Sequence, residues 1–400
     1  MRILFLTTKL PWPPVDGGRV LVLNTLAGLA ARGHEITLLS PSALSPEGES
    51  RAREALGPLA RLELVPVASR TLVGTSLVAA LRRLPFSIAR HRRAAVLRRL
   101  ATLLESERFD LVHVEQLQAL AQAEPAFARS VPVVLRAENV ESDVWAATAG
   151  VHRTASWWLR REAKRLSSWE GQAVARVAAT AALTHRDAER LARLADGRGR
   201  VEVVRAPFPA ELPRGSGTLE GRPAIVLFGS AGWLPNGDAE RWFLREAWPA
   251  LLAALPEARL HRFGREARER SMAGVIDHSS PADSGEAYAP GSILVVPLRI
   301  ASGVRIRILE AWAREVPVVA TPEAVAGLDA EAGRQLLVGR SAEELVAAFR
   351  RLVEEPGLAP ALVAEGHAAL KRWHDPATCA AELEALYRRA AEPGGARRDL

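Results

Sequence analysis

The stretch 299-RIASGVRIRILEAWAREVPVVATPEAVAGL-328 decides how the chain is read. It follows the apolar run VVPL (295–298), opens on Ser302-Gly303, and passes into an apolar helical pattern carrying Arg305, Arg307 and Glu310. A second short apolar run, PVVAT (317–321), and a glycine loop follow. Strand, helix, strand in about thirty residues is a βαβ unit, whose strands are parallel and whose helix covers one face. Ligands of such sheets lie at the carboxyl ends of the strands. The spacing places a helix over 303–314 with Ser302 as its N-cap, its free N–H groups directed at that edge. Gly303 lets a ligand approach the backbone there. Arg305 and Arg307 suit a diphosphate, because a guanidinium fork matches phosphate oxygens. Glu310 follows Arg307 by three residues on the same helix face and suits two ribose hydroxyls. The same residues also read as an ordinary wet stripe, with Glu310 and Arg314 as an i,i+4 pair.

The pattern repeats on both sides of this stretch. RILFLTT (2–8), HEITLLS (34–40), RLELVPV (61–67), DLVHVE (110–115), VPVVLRA (131–137) and VAATAALT (177–184) read as strands. Helical spacing lies between them at 20–33, 87–107, 155–176 and 186–195. The segment 205-RAPFPAELPRGSGTLEGRP-223 is rich in proline and glycine and reads as a linker. Strands then resume at 223–229, 258–264, 291–298 and 317–321, with helices at 238–255, 303–314, 341–353, 358–371 and 376–392. The expected architecture is α/β: two doubly wound parallel-sheet domains facing across a cleft.

With 400 residues, 48% of them hydrophobic, the chain has enough apolar material for two such cores. No apolar run approaches the ~18–20 residues of a membrane span, and the N-terminal MRILFLTTKLPW reads as a first strand, not a signal peptide. The single cysteine, Cys379, excludes an internal disulfide and a multi-cysteine metal site, consistent with a cytoplasmic location. Net charge is +7, carried almost wholly by arginine, without zinc-finger spacing or an RNA-recognition signature, so no nucleic-acid partner is expected. The tract 82–110 interleaves arginines with Phe86, Ile88, Val96 and Leu97. It reads either as a solvated helix or as a peripheral contact with anionic lipid at the inner face of a membrane.

Two further loops stand at strand ends. In 9-KLPWPPVDGGRVLVLN-24, Asp16-Gly17-Gly18 opens a helix; it is neither G-x-G-x-x-G nor a P-loop. In 228-FGSAGWLPNGDAERWF-243, Gly229, Gly232 and the turn Pro235-Asn236-Gly237 precede a helix capped near Asp238. Taken with the opening stretch, these loops resemble the GT-B glycosyltransferases, specifically the family 4 (group 1) retaining enzymes, over nearly the whole chain and in order. The resemblance implies a nucleotide-diphosphate sugar as donor, no cofactor, and retention at the anomeric carbon. It implies a sugar, glycan or lipid-linked acceptor on residues 1–208, the nucleotide on 209–375, and a helix within 376–400 crossing back to the first domain. By position it assigns the donor to Gly17, Gly18, Gly229, Trp233, Asn236, Ser302, Gly303, Val304 and Glu310. It assigns catalysis to Arg305, Arg307 and Glu138, and puts Asn139 and, as a strand-end histidine, His113 toward acceptor or sugar.

Four residues depart from the family pattern. Ser302 replaces the first of two glutamates spaced eight apart, Glu138 stands where many relatives have a histidine, and Trp233 and Asn236 occupy a loop usually holding arginine and lysine. Two alternatives stay open: a catalytically degenerate partner in a polysaccharide assembly complex, which the missing first glutamate keeps alive, and a nucleotide-sugar epimerase on the same fold. No Asp-x-Asp motif occurs, so a metal-independent reaction is expected, with arginines meeting the leaving diphosphate.

Overall fold

The computed structural model describes residues 1–151, 155–213, 215, 217–228, 234–264, 272–281 and 283–392. Two compact units emerge: residues 1–207 with 302–304 and 376–400, and residues 208–301 with 305–375.

The first unit contains β1 (Arg2–Leu6), α1 (Gly17–Ala31), β2 (Glu35–Ser42), α2 (Pro46–Leu56), β3 (Arg61–Pro66), α3 (Leu72–Leu81), α4 (Phe86–His91) and α5 (Ala94–Ser106). It continues with β4 (Leu111–Glu115), α6 (Glu124–Ala128), β5 (Val133–Ala137), α7 (Glu141–Val151), α8 (Ser156–Arg176), β6 (Ala179–Ala182), α9 (His185–Leu194) and β7 (Val201–Val203). Its seven strands are all parallel, in the order β3-β2-β1-β4-β5-β6-β7. The strands read as continuous apolar runs because the sheet is buried on both faces. Along β1, Ile3 and Phe5 enter one helical layer, and Leu4 and Leu6 enter the other.

The second unit contains β8 (Ala224–Phe228), α10 (Leu234–Trp242), α11 (Trp248–Ala254), β9 (Arg259–Phe263), β10 (Val275–His278), β11 (Ser292–Val296), α12 (Ile306–Ala313), β12 (Val318–Ala320), α13 (Pro322–Val325), β13 (Leu337–Val338), α14 (Ala342–Glu354) and α15 (Leu358–Trp373). Its six parallel strands run β10-β9-β8-β11-β12-β13. The last helix, α16 (Pro376–Ala391), returns to the first unit, where Leu383, Leu386 and Tyr387 join the layer that holds Ile3 and Phe5.

Three expectations change. The helix expected over 87–107 is broken at Arg92 and Arg93, whose backbones are extended. The Arg92 guanidinium is drawn to Glu124 and the Arg93 N–H to Gln122 Oε1, which competes with helical pairing. The helix expected from 238 begins at Leu234, so Asp238 lies inside it, and a π turn at Phe243–Ala247 precedes α11. Pro249 has no N–H for the regular ladder, and the wider turn accommodates it. The helix expected over 303–314 begins only at Ile306. Gly303 has φ +72°, a left-handed conformation that cannot continue a right-handed helix.

Candidate active site

Strand order reverses between β1 and β4 in the first sheet and between β8 and β11 in the second, so the carboxyl ends of these pairs are the ligand edges. In the first unit, α1 starts at the edge beside β1. Asp16 caps it, accepting from Arg19 N at 3.0 Å, and Lys9 holds the same carboxylate at 2.8 Å. Burial alone would raise the Asp16 pKa; Lys9 and the capping N–H outweigh it and hold it low. Gly17 and Gly18 form the first helical positions. A side chain at Gly18 would come within 3.3 Å of Glu138 Oε2 and 3.5 Å of Gln116 Nε2, so the missing Cβ keeps open the space over these groups.

Glu138 follows β5, and Gln116 follows β4 with φ +69°. Thr8 donates its hydroxyl to Gln116 Oε1 at 2.6 Å, and Gln116 Nε2 donates to Glu138 Oε2 at 2.9 Å. Glu138 Oε1 is buried and receives no donor among the described residues. Burial, reinforced by the Glu115 carboxylate, raises the Glu138 pKa to about 8, against the weaker pull of Gln116 and Arg136. Glu138 therefore keeps its proton at neutral pH and carries no charge there.

Behind this edge lies a buried ion pair. Arg136 spans the Glu115 carboxylate through Nε at 2.9 Å and Nη2 at 2.6 Å, and donates from Nη1 to Thr25 at 2.5 Å. Burial would raise the Glu115 pKa, but Arg136 and His113 outweigh it and bring it to about 2. Two neighbouring carboxyls thus carry opposite protonation states.

His113 is not at a strand end facing ligand. It lies in the middle of β4 with no exposed surface. Its ring stacks on Phe5 at 4.0 Å, Nε2 donates to Glu115 at 3.1 Å, and Nδ1 accepts from the Tyr387 hydroxyl at 2.7 Å. Burial lowers its pKa, and the neutral ring ties α16 to the sheet. A sugar-facing role for His113 is corrected accordingly: both ring nitrogens are used inside the core.

Residues 302–304 complete the first unit. Ser302 Oγ accepts from Val140 N at 2.8 Å and donates to Asp187 Oδ1 at 3.1 Å, while Gly303 N donates to Asp187 Oδ2 at 3.1 Å. Asn139, with its amide turned to match its neighbours, donates to Ser302 O at 2.7 Å and to Glu138 O at 3.2 Å. Val304 is buried. Ser302 is thus not the cap of α12, and the Gly303 N–H is taken by Asp187 and is not offered to an anion. The close approach that glycine permits is to the Glu138 carbonyl, which a Cβ at 303 would meet at 2.0 Å.

In the second unit the ligand edge carries one stripe of α12: Arg307, Glu310 and Arg314. The Arg307 guanidinium lies 4.7 Å over the ring of Phe228, the last residue of β8, and the Tyr288 hydroxyl donates to the Arg307 carbonyl at 3.2 Å. Glu310 accepts from Arg314 Nε at 3.2 Å and from the Ser284 hydroxyl. The intrahelical pair is therefore formed, and it aims the carboxylate without burying it fully. Arg305 precedes α12 as its half-buried N-cap residue. Asn236 lies half-buried in α10, and Asp238 beside it is clamped by Arg299 at 3.0 and 2.6 Å. Gly229 and Trp233 lie outside the described residues. A cavity of about 810 Å³ opens at the opposite, amino edge of this sheet, between Pro223, Ser292, Pro317 and α15. It is remote from the edge where such sheets bind ligand.

Sequence reasoning missed Gln116, Thr8 and Asp187. The Thr184 hydroxyl accepts from Asp187 N at 3.0 Å, so 184-THRD-187 is a capping signal that was readable. Nothing local marks Asp187 as the acceptor for Ser302.

Two family models match the chain. One described as Glycosyltransferase Family 4 covers residues 15–211, and one described as Glycosyl transferases group 1 covers 222–355. A comparison with curated proteins gives no match. Among solved structures, sucrose-phosphate synthase from Thermosynechococcus elongatus aligns over 97% of this chain and 98% of its own, with TM-score 0.69 and 14% identity. HepE of Anabaena, solved with UDP-glucose, aligns over 96% and 98%, with TM-score 0.65 and 14% identity. The calicheamicin glycosyltransferase CalG4 aligns over 98% and 99%, with TM-score 0.54 and 16% identity. At these identities the likeness speaks to the fold. The family models fall one on each parallel-sheet unit, in chain order, and the chain belongs to the group 1 glycosyltransferases of the GT-B fold.

Proposed function

We propose that this glycosyltransferase takes a nucleoside-diphosphate sugar on its second unit and passes the sugar, with retention of configuration, to a sugar, glycan or lipid-linked acceptor bound by the first. The bond from the anomeric carbon to the diphosphate breaks, a bond to an acceptor oxygen forms on the same face, and the acceptor proton leaves with the diphosphate. The observation that carries this reading is the Arg307–Glu310–Arg314 stripe beside Phe228, at the reversal point of the second sheet. Cation and carboxylate stand one helical turn apart, the arrangement that suits phosphate and ribose together. Arg305 and Arg307 stabilise the departing charge without a metal, and Glu310 accepts the ribose hydroxyls. Glu138 supplies a hydrogen bond from its protonated oxygen.

HepE, solved with UDP-glucose, makes the uridine donor the first to try. The test is a thermal-shift panel with UDP, GDP, ADP and their sugars, followed by turnover with and without EDTA. A ligand at 100 times its Kd adds ~2.7 kcal/mol of stability. Stabilisation by one nucleotide, with turnover that survives chelation, supports the reading. The second reading, a partner without activity, is favoured by one observation: the Ser302 hydroxyl, where relatives have a carboxylate, is already bound between Val140 and Asp187. Absence of any shift at millimolar nucleotide selects it.

A further inference from the structure

Helix α3 is uncharged over its whole length, LVGTSLVAAL, yet half of it faces outward. Thr75 and Ala79 are buried, while Leu72, Val73, Leu77 and Leu81 are 69%, 81%, 58% and 73% exposed. Val73, Leu77 and Leu81 succeed one another at i,i+4 and form a continuous stripe. A surface helix ordinarily turns a polar face to water, so a ridge of this kind marks an interaction surface.

The surrounding charge says what meets it. Between Glu63 and Glu105 the chain has no acidic residue and eight arginines. Arg92 and Arg99 reach out of that span to Glu124 and Glu63. Arg82 and Arg83, directly after α3, and Arg90 on the adjacent α4 are exposed and, among the described residues, in no ion pair. Behind the ridge, Phe86 of α4 meets Trp158 of α8 edge-on at 5.6 Å. An apolar ridge and a rim of exposed arginines are the two features of an interfacial membrane contact. A second copy of the chain would set arginine against arginine. An acidic soluble partner or a nucleic acid would leave the leucines uncovered.

We propose that α3 and its arginine rim dock on a membrane surface bearing anionic headgroups, the ridge entering the interface and Arg82, Arg83 and Arg90 meeting phosphates. No helix among the described residues is long and apolar enough to cross a membrane, and the contact proposed is peripheral. It goes beyond sugar transfer and is independent of it.

The test is co-sedimentation of the full chain with vesicles of phosphatidylcholine alone and of phosphatidylcholine with phosphatidylglycerol. Binding is expected only to the anionic vesicles, weakening with salt. Arg82→Gln, Arg83→Gln and Arg90→Gln together are expected to lower the partition coefficient roughly a hundredfold, about fivefold for each charge. Val73→Asp with Leu77→Asp is expected to abolish binding with an unchanged thermal melt; Leu81→Ser, at the helix end, is the milder second variant. Failure to bind anionic vesicles at low salt overturns the proposal, as does binding that neither set of variants alters. Equal binding to a single-stranded oligonucleotide, untouched by Val73→Asp, would assign the arginines to nucleic acid and overturn it as well.

Discussion

Gln116 donates to one oxygen of Glu138 at 2.9 Å, and the other oxygen of that carboxyl is buried with no donor facing it among the described residues. A side chain held in this way has its orientation fixed and its proton retained. The raised pKa, about 8 against the ordinary 4.5, means that the folded state binds the proton more tightly than the unfolded state. That contribution is complete below pH 4.5 and is lost as pH rises toward 8. Glu138→Gln keeps an acceptor for Gln116 and removes the titration. Urea melts from pH 5 to 8 are expected to show the parent losing stability relative to Glu138→Gln, by up to about 1.4 kcal/mol per pH unit. Parallel pH profiles would show that Glu138 is ionised in the folded protein.

Glu115 and Arg136 have the opposite dependence. Here the folded pKa is depressed to about 2, so the stability is present above pH 4.5 and lost as pH falls from there toward 2. Glu115→Gln strands a buried guanidinium. Breaking a pair of this kind costs about 3–5 kcal/mol, read as the drop in unfolding free energy at neutral pH. A loss below 1 kcal/mol would mean that water reaches Arg136.

Gly303→Ala places a methyl group 2.0 Å from the Glu138 carbonyl at a φ of +72°. The left-handed backbone alone costs about 1–2 kcal/mol, and the clash displaces Ser302 from Asp187 and Val140. A melt shifted down by several degrees is expected, with nucleotide affinity reduced far less. Unchanged stability would place the segment elsewhere.

On the second unit, Glu310→Gln keeps the size of the side chain and a hydrogen-bond acceptor for Arg314. Losing charge-assisted bonds to ribose, at about 1.5–3 kcal/mol each, predicts nucleotide binding at least tenfold weaker by calorimetry. Arg307→Ala is expected to reduce turnover about a hundredfold, since a preorganised donor to developing charge is worth roughly 2.7–4 kcal/mol. If both variants bind nucleotide like the parent, the α12 stripe is only the wet face of a helix.

The parallel sheets were legible because their strands are apolar on both faces: RILFL and SILVV carry no polar alternation. The short strands VEV, VIDH and LV were not, since a few residues of mixed character become strands only through their neighbours' hydrogen bonds. Asp16 was legible as a cap from its position before two glycines. The roles of Ser302 and Gly303 were misread because sequence places them next to a helix, whereas Asp187, more than a hundred residues away, determines their bonds. His113 was misread for the same reason: its partner Tyr387 lies 274 residues on. Pairing at that distance leaves no periodic trace in the chain.

The central claim is transfer from a nucleotide sugar with retained configuration. The most direct measurement is proton NMR of the product formed from UDP-glucose, or from whichever nucleotide sugar stabilises the protein, with a simple sugar acceptor in excess EDTA. The account predicts a new glycosidic anomeric signal with the donor's α configuration and no change in the donor when acceptor is omitted. A β-linked product, a dependence on added divalent metal, or conversion of the donor alone would contradict it.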